Sequence, residues 1–205
     1  IVTLNEYDSF GRPYSVYRPV PTQTSSGAYA SFASINPELL KFYNWEVYTF
    51  SKTLYEDSPL DRPVEKYGPG SLWHTRGKSV RTEYLVNEAT GVLSCGLYLV
   101  SSDTSLTRSG VFPSGSLSVV KTTDEDGDVT LSFTDRLGRK VLERRLDGDI
   151  RLDTHYVYDD LGLTRYVLTP EASAAMSSDG TFGDSSAPVA GLSYVYKYDG
   201  KGRCS

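Results

Sequence analysis

Cysteine is scarce in this sequence, two among 205 residues, at positions 95 and 204. Two thiols cannot staple a fold or complete a four-cysteine zinc site, so the chain must be held by its core. Cys95, inside VLSCGLYLV, reads as a small buried residue, and Cys204 as an incidental thiol. Histidine is as rare, with only His74 and His155, and neither is accompanied by a G-x-S-x-G elbow. His155 in THYVY reads as a strand residue facing away from Tyr156. No catalytic constellation is read and no cofactor is expected. Long apolar runs are missing too, and nothing approaches the 18 consecutive residues of a membrane helix, so the chain is not expected to span a membrane by a helix. Basic residues number 21 against 26 acidic, giving a net charge of -5. That balance argues against a nucleic-acid partner, which needs clustered Lys and Arg, and the Arg144-Arg145 pair stands alone. Arg76-Gly77-Lys78-Ser79 ends like a phosphate loop, but Leu72 stands where that loop needs a glycine.

What the sequence has instead is tyrosine, 16 residues, together with 18 glycines. Tyrosine joins an apolar ring to a polar tip and suits sheet faces that are only partly dry. The predicted fold class is mainly β, a curved antiparallel sheet of hairpins with one or two short helices.

One pattern recurs. Tyr7-Asp8-Ser9-Phe10-Gly11-Arg12 is its first copy and Thr134-Asp135-Arg136-Leu137-Gly138-Arg139 its second, with Thr in the Tyr place. Tyr158-Asp159-Asp160-Leu161-Gly162-Leu163 and Tyr198-Asp199-Gly200-Lys201-Gly202-Arg203 complete the set. In each an Asp stands three residues before a Gly, with β-formers on both sides. An Asp at a strand end accepts a hydrogen bond from a backbone N–H two residues on, and the Gly supplies the positive φ that closes the turn. The chain then returns antiparallel. Recurrence argues for turn chemistry and cross-strand pairing rather than catalytic carboxylates, because a catalytic site is needed once and a turn at every hairpin.

These residues resemble the YD-repeat proteins, the RHS family, named for tandem Tyr-Asp motifs followed by Gly-Arg. The stretches 55–73, 123–145 and 156–172 are similar to the region that precedes the main repeats in large RHS proteins of Bacteroides-like bacteria. The resemblance implies a shell-like spiralling sheet that encloses or presents a C-terminal effector or toxin domain, in a secreted or cell-surface bacterial protein, with the rest of the same polypeptide as principal partner. The repeats are not known as catalysts. Leu163 in the Arg place, Thr134 in the Tyr place and irregular spacing mark a divergent segment. The chain opens in one motif and closes in another, which reads as a piece of a longer repeat protein, so edge pairing between copies, a dimer, is expected.

The whole of 1–205 reads as one β-rich segment with loop-like stretches near 22–36, 101–118 and 171–191. The short apolar groups of 101–118 could form edge strands. Asn36 followed by Pro37 predicts a helix start, WEVYTFSKTLYE at 45–56 alternates like a strand, and Pro170 opens a short helix over Glu171 to Met176. Asp124, Asp126 and Asp128 invite a calcium reading, but the glycine comes early for an EF-hand, at position four rather than six, and position twelve is Asp135, so a hydrated hairpin turn is expected. Trp45, Trp73 and the tyrosines could stack on sugar rings, as in a carbohydrate-binding β module; otherwise they pack the sheet.

Overall fold

The structure, a computed structural model, describes residues 1–22, 27, 30–102 and 105–204. The chain divides into two compact units, one of residues 1–82 with 123–127, the other of 83–122 with 128–205.

In the first unit, β1 (Asn5–Tyr7), β2 (Pro13–Tyr17), β3 (Phe50–Tyr55), β4 (Pro63–Tyr67) and the start of β5 (Val80–Val86) pair antiparallel in chain order. Helix α1 (Phe32–Phe42) joins β2 to β3, and α2 (Ser71–Thr75) joins β4 to β5. The helix expected to start at Pro37 begins five residues earlier, with Pro37 inside it. An interior proline forfeits its N–H bond and crowds the carbonyl four residues back, a cost that the burial around it must offset. Ile35 and Leu39, one turn apart on either side of it, are both buried against Tyr17 and Val20, and burying that pair requires helix on both sides of the proline. Residues 32–36 of the expected loop at 22–36 are therefore helical, and 23–26 and 28–29 of it lie outside the described residues. The strand expected over 45–56 starts only at Phe50. Asn44 and Trp45 adopt left-handed φ of 53° and 64°, and the Trp45 N–H bonds the Leu40 carbonyl, so these residues end α1.

The second unit carries a sheet in the order β8 (Ser118–Thr123), β9 (Val129–Thr134), β10 (Lys140–Asp147), β11 (Ile150–Tyr158), β12 (Thr164–Leu168) and β14 (Ser193–Val195). A smaller antiparallel sheet runs β13 (Gly180–Gly183), β7 (Ser105–Val111), β6 (Gly96–Ser102). The stretches expected as loops at 101–118 and 171–191 thus pair with each other: Phe182 stands opposite Leu106, and Thr181 opposite Thr107 with their hydroxyls 3.0 Å apart. Their composition is polar, but Leu106 is fully buried and Phe182 packs on the same cluster. Residues 103–104 of the former stretch lie outside the described residues. Helix α3 (Pro170–Ala175) forms where expected, its N-terminus capped by Thr169, and α4 (Ala187–Leu192) follows β13. One core joins Tyr98, Leu106, Val157, Tyr166, Leu168, Ala172, Met176 and Val189; a second joins Cys95, Leu117, Val119, Leu131, Phe133, Val141 and Leu142. The fold is mainly β, with large antiparallel sheet and few short helices. Among the described residues no helix is long and apolar enough to cross a membrane.

Candidate functional site

The four Tyr-Asp turns fold alike. In the first, Asp8 Oδ1 accepts from the backbone N–H groups of Phe10 and Arg12, both at 2.9 Å, while Oδ2 accepts from Arg12 Nε at 2.7 Å. Gly11 at φ 80° donates to the Asp8 carbonyl, and the Asp8 N–H bonds the Arg12 carbonyl. Asp135 with Gly138 and Arg139 repeats the same set, as does Asp199 with Gly202 and Arg203. Asp159 keeps the two backbone bonds, from Leu161 and Leu163, and Gly162 closes that turn at φ 80°. Where Leu163 replaces the arginine, Arg165 approaches Asp159 Oδ2 at 3.5 Å instead. One carboxylate thus satisfies two turn N–H groups that the reversal would leave bare, and its second oxygen holds the cation. At Asp135 burial opposes ionisation, but the backbone N–H and guanidinium of Arg139 and the N–H of Leu137 together hold its carboxyl below the usual range.

A fifth turn belongs to the set although its sequence hides it. Tyr55-Glu56 is followed after five residues by Arg62, whose Nε and Nη2 lie 2.6 and 2.8 Å from the Glu56 carboxylate. The Glu56 N–H bonds the Arg62 carbonyl, and Asp61 at φ 53° takes the glycine place. Pairing register agrees. The Tyr position stands opposite the residue after the Arg position in every hairpin: Tyr7 with Pro13, Tyr55 with Pro63, Thr134 with Lys140, Tyr158 with Thr164, each beside a register shift. The order tyrosine, acid, arginine was the available sequence signal; a longer acid and two extra residues concealed it.

Successive turns are linked by their tyrosines. Tyr55 Oη donates to the Pro13 carbonyl at 3.1 Å, Tyr158 Oη to Lys140 at 2.8 Å and Tyr198 Oη to Thr164 at 2.9 Å. The acceptor each time is the residue just after the Arg position of the preceding turn. In two cases the arginine of that turn also covers the ring: Arg12 lies 4.7 Å from the Tyr55 centroid and Arg139 4.8 Å from that of Tyr158. Arg12 further donates to the Glu56 carbonyl at 3.2 Å. Arg203, in the last copy, has a side chain 73% exposed and no ring over it among the described residues. Tyr7, in the first, is likewise exposed.

The remaining candidates separate. Asp124 accepts from the Asp126 N–H within its turn and Asp126 pairs with Lys78 at 2.7 Å. Among the described residues no three His, Cys, Asp or Glu side chains converge on a point that could hold a metal, so Asp124, Asp126 and Asp128 are not brought together as calcium ligands. Trp45 stands exposed on the turn after α1, whereas Trp73 lines a cavity. Cys95 is buried, and burial pushes its thiol up to about 12, out of reach of nucleophilic use at neutral pH. His155 faces inward with Nδ1 3.0 Å from Ser173 Oγ, and burial pushes it down to about 4. Arg144, read in the sequence only as half of an isolated basic pair, is buried and bidentate to Asp153 at 2.7 and 2.5 Å, and its Nη1 also donates to the carbonyls of Val92 and Ser94.

Residues 1–86 match a family described as a domain of unknown function, DUF6443, a span that takes in the continuous stretch of the first unit. No curated protein matches the chain.

Proposed function

We propose that this chain is a non-catalytic structural segment of a large secreted or cell-surface bacterial protein of the YD-repeat kind, contributing hairpins to a β shell that encloses or presents a C-terminal effector. The observation that carries the reading is the tyrosine bond back to the preceding turn. The Tyr158 hairpin carries both halves of the joint, a tyrosine that reaches back to Lys140 and a Thr164 carbonyl that receives Tyr198, so units of this design extend side by side without new chemistry. The acidic groups of the turns are occupied in holding backbone and arginine, which suits a wall and leaves little for acid–base catalysis. On this reading the open Arg203 guanidinium and the Cys204 carbonyl receive the tyrosine of a following hairpin from the rest of the polypeptide.

Electron cryomicroscopy of the full-length protein carrying this segment tests it. The expected map continues the sheet past residue 203, with an aromatic ring seated on Arg203. A map in which the segment hangs on linkers as a separate module, its last turn open to solvent, would sink the proposal.

A further inference from the structure

The first unit holds a cavity of about 470 Å³ whose lining includes Trp73, Tyr67, Glu125, Lys66, Ser51 and Ser79. That volume falls in the range of small-molecule sites. Its aromatic wall is built rigidly. A Cβ at either Gly68 or Gly70 would stand 3.6 Å from the Trp73 indole, so the bare backbone of the two glycines supports one side of the ring. Tyr67 is backed by the His74 ring at 5.4 Å and 19°, and His74 by Tyr48 at 4.4 Å and 12°. Trp73 and His74 are neighbours on α2, so one short helix both sets the indole and wedges the imidazole between two tyrosines. Ser71, at the start of that helix, donates to Glu46 at 2.5 Å and ties it down.

The polar lining has unspent capacity. Neither Glu125, half-buried, nor Lys66, exposed, has a side-chain partner among the described residues. Ser79 donates to Glu65 at 2.6 Å and is hydrogen-bonded to the Tyr67 hydroxyl, which steadies that wall of the cavity. One carboxylate and one ammonium cancel in charge, so the site has no net pull on an anion or a cation. What it offers is an apolar ring face beside separate strong acceptors and donors. A pyranose has the matching form: a face of C–H groups, edged by hydroxyls that each donate and accept.

We propose that this cavity is a glycan subsite for one pyranose unit, with Trp73 as the stacking platform, Glu125 and Lys66 as hydroxyl partners, and no part for Trp45. The site stands independently of the structural reading above.

The test uses the whole chain with Trp45→Phe, which leaves Trp73 as its only tryptophan, titrated with a panel of methyl pyranosides and short glycans while indole emission is followed. At least one sugar should shift or quench the emission saturably. Glu125→Gln in that background should weaken the same titration by about tenfold or more. Saturation-transfer NMR on Trp73→Ala, with circular dichroism to establish folding, should show the sugar signal gone. Unchanged emission across the panel overturns the site. So does a sugar signal that persists in a folded Trp73→Ala chain or is lost on Trp45→Phe. Should Trp73→Ala fail to fold, the Glu125→Gln titration decides alone, since that side chain supports nothing else.

Discussion

The guanidinium of Arg139 lies 4.8 Å from the ring centroid of Tyr158, whose hydroxyl bonds the carbonyl of the residue next to that arginine. The joint has two parts, ring and hydroxyl, and they can be separated. Tyr158→Phe should cost about 1 kcal/mol, the net worth of one hydrogen bond. A double-mutant cycle of Arg139→Ala with Tyr158→Leu should return a coupling of about 0.5–1 kcal/mol for the stacked cation. Urea denaturation of the four proteins measures both, and a coupling of zero would mean the ring and cation are merely adjacent.

The wide turn at Glu56 makes an opposite kind of prediction. Asp61 holds left-handed φ, a conformation that costs a side-chain-bearing residue about 1 kcal/mol, and among the described residues its side chain is drawn only to Arg12, at 3.7 Å across an exposed surface. Asp61→Gly should therefore raise stability by about 0.5–1 kcal/mol. Gly162→Val, which forces a branched residue into φ 80°, should lower it by about 1–3 kcal/mol. Thermal melts of the two variants should move in opposite directions.

Acid should act on the protein in two stages. His155 titrates near 6.5 when unfolded but is pushed to about 4 by burial in the native state. Between these values the unfolded chain binds the extra proton, so the stability present above pH 6.5 is lost as pH falls toward 4, by up to about 3 kcal/mol. His155→Gln should flatten ΔG against pH in that window. The carboxylates of Asp8, Asp135, Asp199 and Glu56, held low, contribute stability above their unfolded pKa that is lost as pH falls through their depressed folded values, so a second decline below about pH 4 should remain.

Asp153 and Arg144 stand opposite each other on β11 and β10, and among the described residues only the arginine ties the carbonyls of residues 92 and 94 to the sheet. Asp153→Ala leaves a buried cation without its partner and should cost about 3 kcal/mol or more. Hydrogen exchange should show the loss spreading to residues 91–94, and protection there equal to that of the unaltered chain would contradict the role given to Arg144.

Local chemistry made much of this legible. The Asp-Gly turns need only five consecutive residues, so their sequence carries them, and the strands flanking them follow from alternation. Tertiary burial decided what the sequence did not. Pro37 reads as a helix start until Ile35 and Leu39 are seen buried together, and the Ser- and Gly-rich stretches 105–111 and 180–183 become strands only because each supplies the other's partner. The Glu56 turn was masked by length, and the Trp73 cavity by distance, since Glu125 lies far along the chain from the helix it faces. Trp45 and Trp73 looked alike as aromatic residues, and the left-handed backbone at the end of α1 separates them.

The tyrosine joint also has a direction in time. Tyr158 seals a turn made some twenty residues earlier, and Tyr55 and Tyr198 do the same for theirs. A chain leaving the ribosome therefore completes the turns of Asp8, Asp135 and Asp159 only when the tyrosine that reaches back to each has emerged. Pausing synthesis before Tyr158 or Tyr198 has emerged leaves the turn before it unsealed.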